Sequence, residues 1–254
     1  MDLNANPQAT PAALRLPGLA GRLAFVTGHR GGIGAAIAQL LAAAGCDVIG
    51  LDLPDVDFAD LEGLEARLAA LIERHGAPRI LVNCAGTTLL GTIPDTSLAD
   101  LQRVLAVNFS APFLLMKAVL PGMVAAGGGA IVNVASDQAL VGKPMSAAYG
   151  ASKGALAQLT RSAAIDFGRH NVRVNCIAPG STDTAMLRQV MEEGSRFQSL
   201  FPPPPGVGFN IGSVPLARLA QPSEIAMAAV FLASEAASFI TGAVVPVDGG
   251  VTAA

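Results

Sequence analysis

Six short runs rich in Val, Ile and Leu recur along the chain, at 23–27, 47–51, 80–83, 130–135, 173–178 and 244–247. They show little apolar–polar alternation, so each reads as a strand covered on both faces, as in a parallel sheet. Between them lie segments of helical period, at 33–44, 61–75, 99–125, 149–169 and 222–234. Gly45, Gly76 and Gly127 stand where helices end, and Pro222, Ser223 and Glu224 where one begins. This alternation predicts an α/β fold, a doubly wound parallel sheet with helices on both faces. Ligands of such sheets bind outside the carboxyl ends of the strands. The residues that follow Thr27, Leu51, Asn83, Ala135 and Ala178 therefore share one functional edge.

Composition narrows the classes. Hydrophobic residues make up 52% of the 254 positions and charged residues 14%, against about 25% charged in an average soluble domain. That fits a large core and further surface hidden between subunits. A net charge of −3 gives no basic footprint for nucleic acid. No stretch of about 18 uninterrupted apolar residues suggests a membrane span. Residues 1–22 hold three prolines and no apolar leader core, so 1–18 reads as a flexible N-terminal arm before a single domain at 19–254. Cys46, Cys84 and Cys176 lie far apart in apolar segments, as reduced thiols of a cytoplasmic protein do. His29, His75 and His170 have no second ligand at helical spacing, which argues against a metal site. An irregular insert at 185–213, with four prolines at 202–205, is expected to be a substrate lid.

The first strand runs into Thr27-Gly28-His29-Arg30-Gly31-Gly32-Ile33-Gly34. Glycines here let the backbone turn tightly against a pyrophosphate, whose charge then faces a helix N-terminus. Asp52 ends the second strand 18 residues beyond Gly34, near the offset of the acidic residue that binds the ribose hydroxyls of NAD. Its carboxylate would repel a 2′-phosphate, so NAD is expected over NADP. Asn83-Cys84-Ala85-Gly86 follows the third strand with residues small enough for close approach to a cofactor.

Tyr149 and Lys153 lie four residues apart on one helical face. A cation beside a phenol favours the phenolate, which suits Tyr149 to general-base work. Ser136, at the end of the fourth strand, is placed to donate a hydrogen bond to the substrate oxygen.

Together these pieces resemble the short-chain dehydrogenase/reductase family, from about Leu16 to Gly250. The carriers are TGxxxGIG at 27–34, NCAG at 83–86, Asn108, Ser136, the YxxxK pair and Pro179-Gly180, with Ser136 at 13 residues before Tyr149. The resemblance implies a Rossmann-like fold, a homotetramer and a hydride exchanged between NAD and a secondary alcohol or ketone. It implies that Tyr149 is the catalytic acid/base and Ser136 the substrate-oxygen donor. Lys153 would lower the tyrosine pKa and bind the nicotinamide ribose, and Asn108 would hold a relay water at a helix irregularity. Cofactor contacts would come from Gly28, Arg30, Gly32, Ile33, Gly34, Asp52, Asp57, Phe58, Asn83, Ala85, Gly86, Pro179, Gly180, Thr182 and Thr184. The sequence departs from the pattern in three places. Cys84 stands where a second Asn is usual, and Gly31 where NADP-preferring members often carry Arg. Only five positions separate Asp52 from Asp57, too few for the helix usual between the second and third strands.

Substrate contacts are sought at Ser136, Gln138 and Tyr149, with Asp137 and Lys143 beside them, and in the insert at Arg188, Arg196, Phe197, Phe201 and Phe209. A polyol, sugar or hydroxy acid would suit the polar ones. Two other readings share most of these motifs: an NADPH-dependent 3-oxoacyl reductase, against which Asp52 argues, and a catalytically silent NAD-binding protein, against which the intact set of four argues.

Overall fold

The structure is a computed structural model that describes residues 16–200 and 214–253, with the side chains of 193–200 left out. Six strands form one parallel sheet in the order β2-β1-β3-β4-β5-β6: β1 (Leu23–Thr27), β2 (Asp47–Leu51), β3 (Ile80–Asn83), β4 (Gly129–Val134), β5 (Val172–Pro179) and β6 (Val244–Val247). The helices are α1 (Gly32–Ala43), α2 (Leu61–His75), α3 (Leu98–Leu105), α4 (Ala111–Ala125), α5 (Ala147–Phe167), α6 (Ala185–Leu200) and α7 (Pro222–Ala233).

Alternate residues of each strand feed opposite layers, because side chains of a strand point up and down in turn. Ala24 and Val26 of β1 join Ile37 and Leu41 of α1 and Ile225 and Ala229 of α7 in one core. Phe25, between them, joins Leu64 and Leu68 of α2 and Leu115 and Val119 of α4 in the other. Both faces are covered, as the unbroken apolar runs predicted. Gly45, Gly76 and Gly127 end α1, α2 and α4 in left-handed conformations (φ 90°, 85° and 78°), which glycine adopts without a Cβ clash.

One expectation is met and one needs correction. The helix read at 99–125 runs from Leu98 to Ala125 as α3 and α4 joined through a π turn, Ala106–Ser110, the irregularity expected at Asn108. The run from Leu98 to Ala125 is long and apolar enough to cross a membrane by length and composition, at a mean hydropathy of 1.6. Its apolarity serves the core instead, since Val104, Leu115, Met116, Val119 and Met123 are buried. The insert at 185–213 is not irregular at its start: α6 occupies its first 16 residues. Pro202–Pro205 lie outside the described residues.

The chain passes from β1 to β2 on one side of β1 and then crosses to β3 on the other. That reversal is the topological switch point of a doubly wound sheet, and a crevice opens there. The usual order carries a further strand outside β2. Here the short link 52–60 leads from β2 straight into α2, so β2 is the edge, in keeping with the close spacing of Asp52 and Asp57.

Phe25 is fully buried between the sheet and α2 and α4. Phe25→Ala is expected to cost about 3–5 kcal/mol of stability, read as a lower urea midpoint with an unchanged slope.

Candidate active site

The loops leaving β1, β3, β4 and β5 surround one cavity of about 1340 Å³. At its β1 end the backbone is packed too closely for side chains. A Cβ on Gly34 would fall 2.1 Å from the Gly28 carbonyl oxygen, and one on Gly28 would fall 2.9 Å from Ala85. The Thr27 hydroxyl accepts from the N–H groups of both Cys84 and Ala85, at 2.9 Å each, locking the two loops together. Gly28, Gly31, Gly32, Ile33 and Gly34 line the cavity here, with Asp52, Asp57 and Phe58 beyond them. Ala85, Gly86, Pro179, Gly180, Thr182 and Thr184 line it from the β3 and β5 loops. An exposed glycine backbone at the start of α1 fits a dinucleotide pyrophosphate.

Two of the expected contacts are elsewhere. The Arg30 guanidinium is turned to Asp55 at 2.6 Å, and only its backbone N–H reaches toward the cavity rim, donating to Asp52 Oδ2 at 2.9 Å. Asn83 is buried beneath the loop and donates to Asn133 Oδ1 at 2.8 Å; Asn133 in turn donates to Thr160 of α5 at 2.9 Å. That chain ties β3, β4 and α5 together under the cavity floor.

At the β4 end, Ser136, Tyr149 and Lys153 line the cavity side by side. Lys153 Nζ donates to the Val134 carbonyl at 2.9 Å and lies 5.8 Å from the Tyr149 ring centroid. Burial is the dominant force on both groups. It pushes the Lys153 ammonium down to about 8 and the Tyr149 phenol up to about 12. The Ser136 hydrogen bond pulls the phenol back toward ionisation, and the negative charge of Asp137 pushes the other way. Lys153 was expected to lower the tyrosine pKa. Instead its ammonium is directed at a carbonyl and weakened by desolvation, so the protein groups alone keep the phenol protonated.

Asn108 is fully buried within the π turn, behind the cavity wall. Its amide donates to the Thr87 carbonyl at 2.9 Å and to Ser152 Oγ at 3.0 Å, and its carbonyl accepts from Thr87 N–H at 2.9 Å. A Cβ on Gly86 would lie 3.4 Å from both Asn108 Oδ1 and Lys153 Nζ. These groups therefore converge on one point of the β3 loop.

Gln138 and Lys143 also line the cavity, and Gln138 Oε1 accepts from the Ser146 hydroxyl. Arg188 does not; it pairs with Asp183 at 2.6 Å. Arg196, Phe197, Phe201 and Phe209 lie outside the described side chains. The first turns of α6 wall the cavity with Met186, Leu187, Val190 and Met191, and Leu90, Met145 and Val214 add to this apolar side. The sequence reading missed these residues. Apolar positions in loops carry no periodic signal, although the helical spacing of Met186, Val190 and Met191 was there to be read.

Residues 53–252 match the family model described as enoyl-(acyl carrier protein) reductase. Galactitol 2-dehydrogenase (L-tagatose-forming) of Cereibacter sphaeroides is 39% identical over 92% of this chain and 96% of its own. The chain belongs to the short-chain dehydrogenase/reductase family. D-Threitol dehydrogenase of Mycolicibacterium smegmatis is 36% identical to this short-chain dehydrogenase/reductase, over 92% of the chain and 94% of the relative. A gluconate 5-dehydrogenase from Burkholderia cenocepacia, solved with NADP and tartrate, superposes with a TM-score of 0.81 at 30% identity, covering 92% of this chain and 96% of that one. This family member is accordingly a nicotinamide-dependent oxidoreductase of secondary alcohols and ketones, acting on small molecules.

Lys153 also gives a stability prediction. Its folded pKa, about 8, lies below the ordinary 10.5. The folded state therefore binds fewer protons than the unfolded chain between those values, and stability rises with pH across that window. Relative to Lys153→Met, the wild type should gain on the order of 2 kcal/mol as pH rises from about 8 to 10, measured by urea unfolding at each pH. A constant difference between the two proteins would remove the argument.

Proposed function

We propose that this protein is an NAD-dependent dehydrogenase of a polyhydroxylated or hydroxy-acid secondary alcohol, with Tyr149 as the acid/base. The observation that carries this reading is the convergence of Ser136, Tyr149 and Lys153 at one end of the cavity whose other end is the glycine cradle. The names of the galactitol and threitol dehydrogenases among its relatives support the substrate class. Asp52 supports NAD: it lines the cavity beyond the cradle, and the neighbouring guanidinium of Arg30 is committed to Asp55. A 2′-phosphate would meet a carboxylate there and, among the described residues lining the cavity beside it, no cation.

Gly28, Gly31, Gly32 and Gly34 would hold the pyrophosphate, and Asp52 the adenosine ribose, with Thr182 and Thr184 near the nicotinamide. When bound, NAD supplies the hydride acceptor and a positive ring that favours the phenolate. Ser136 donates a hydrogen bond to the reacting oxygen and holds it against Tyr149. The phenolate takes the hydroxyl proton as negative charge develops on that oxygen. Lys153, buried on the same helical face one turn on, fixes the nicotinamide ribose. Asn108 keeps the Thr87 segment in place beside them, the setting for a relay water. Because burial opposes phenolate formation, oxidation is expected to quicken as pH rises.

The same reading takes residues 19–254 as one domain, whose two core layers share a single sheet. It extends to a cytoplasmic homotetramer. The free thiols Cys46, Cys84 and Cys176 support a reducing compartment. Phe239 and Ile165, fully and 81% exposed, support burial against other subunits.

Tyr149→Phe is expected to lower kcat for a secondary alcohol such as galactitol by about 10²–10⁴-fold. Loss of less than tenfold would remove Tyr149 from the chemistry. With the wild type, kcat/KM for NAD is expected to exceed that for NADP at least about tenfold, a difference of 1.4 kcal/mol; equal values would withdraw the role given to Asp52.

A further inference from the structure

The Ser136 proton, which the proposed chemistry turns to the reacting oxygen, is given to another group in the structure. The hydroxyl donates to Asp137 Oδ1 at 3.0 Å, while its oxygen accepts from the Gln138 N–H at 3.2 Å, and Tyr149 lines the cavity with it. The Asp137 side chain is only 3% exposed, and its other oxygen, Oδ2, takes the Lys143 ammonium at 2.5 Å. A carboxylate so buried needs a compensating charge, and Lys143 supplies it. The Ser136 hydroxyl proton, beside the Tyr149 phenol, is thus held by the Asp137 carboxylate, whose far side Lys143 closes.

We propose that Asp137 and Lys143 are a positioning pair that acts through Ser136 to set how readily Tyr149 gives up its proton. The proposal rests on Tyr149 being the acid/base. Asp137 holds the serine proton and so withholds it from the phenolate, which that hydrogen bond would stabilise; the protonated phenol is favoured. Its negative charge acts in the same sense, and Lys143 offsets part of it. The two members thus work in opposite directions. The pair would set the pH range in which alcohol oxidation runs.

The other charged and titratable groups around Tyr149 are few. Lys153 stands one turn along α5, and the Cys84 thiol faces it from the β3 loop. Cys176 on β5 lies against Lys153, and Asp52 acts on Cys84. Asp95 and Arg103 line the same cavity as exposed groups. Those of α6 that line it are uncharged. None of these shares a hydrogen bond with Ser136 among the described residues.

The chain has one tyrosine and no tryptophan, so tyrosinate absorbance reports Tyr149 alone, without substrate or cofactor. The test is an alkaline absorbance titration of wild type, Asp137→Asn and Lys143→Met. Circular dichroism recorded at each pH restricts the comparison to folded protein. Removing the carboxylate should bring the phenol transition down by about one pH unit. Removing the ammonium should leave it at or above the wild-type position, or keep the phenol protonated until the fold is lost. The double variant should fall between the two single ones. An Asp137→Asn transition no lower than wild type overturns the proposal, as does a Lys143→Met transition lower than wild type. Asp137→Ser takes the place of the Asn variant if that one does not fold. A purely structural role would lower the melting temperature of both variants without moving the transitions apart in sign. The Tyr149→Phe activity measurement stands separately, so the acid/base assignment and the pair can fail independently.

Discussion

A parallel sheet buried on both faces constrains everything else in this molecule. Its strands contribute apolar side chains to two cores, which leaves little room for polar chemistry along their length. Polar chemistry is pushed to the strand ends. The order β2-β1-β3-β4-β5-β6 then brings the carboxyl ends of β1 and β3 together at the point where the winding reverses. The glycine cradle sits at that point because helix α1 must start close to the strand it follows. The Ser136, Tyr149 and Lys153 cluster sits one strand further, where β4 ends and α5 returns across it.

Much of this was legible in the sequence because it depends on local pattern. The strand runs fall within a residue of β1 to β6, and helix ends marked by Gly45, Gly76 and Gly127 lie where left-handed caps form. Tyr149 and Lys153 could be paired from spacing, since a helix repeats its face about every fourth residue, whereas Ser136 joined them through the family resemblance. What failed was information held between elements. Nothing in the order of residues says that Arg30 turns to Asp55, or that Asn83 reaches down to Asn133 instead of up to a ligand. The helical start of the 185–213 insert was masked by its four prolines, which dominate the composition and lie beyond α6.

Electrostatics was the least legible property. Opposite charges four residues apart suggest a lowered phenol pKa, but spacing does not reveal how dry the site is. Desolvation outweighs the lysine here and drives the two groups apart, the phenol upward and the ammonium downward. The result is a phenol held in its neutral form by the protein, beside an ammonium that loses its charge only above about pH 8. A charged pair sits just behind them, with Asp137 sealed from solvent and Lys143 partly open to it.

The buried amide of Asn108 bonds to both backbone groups of Thr87, offering a donor and an acceptor as a neighbouring strand would. It also reaches Ser152, one residue before Lys153. The β3 loop and the helix bearing Tyr149 are thereby braced to a common strut. The extra residue of the π turn sets the strut's angle: a regular helix, one residue shorter, would swing that side chain by about 100° around the axis. A single insertion in a helix thus acts as a mechanical joint that keeps two walls of the cavity from moving independently.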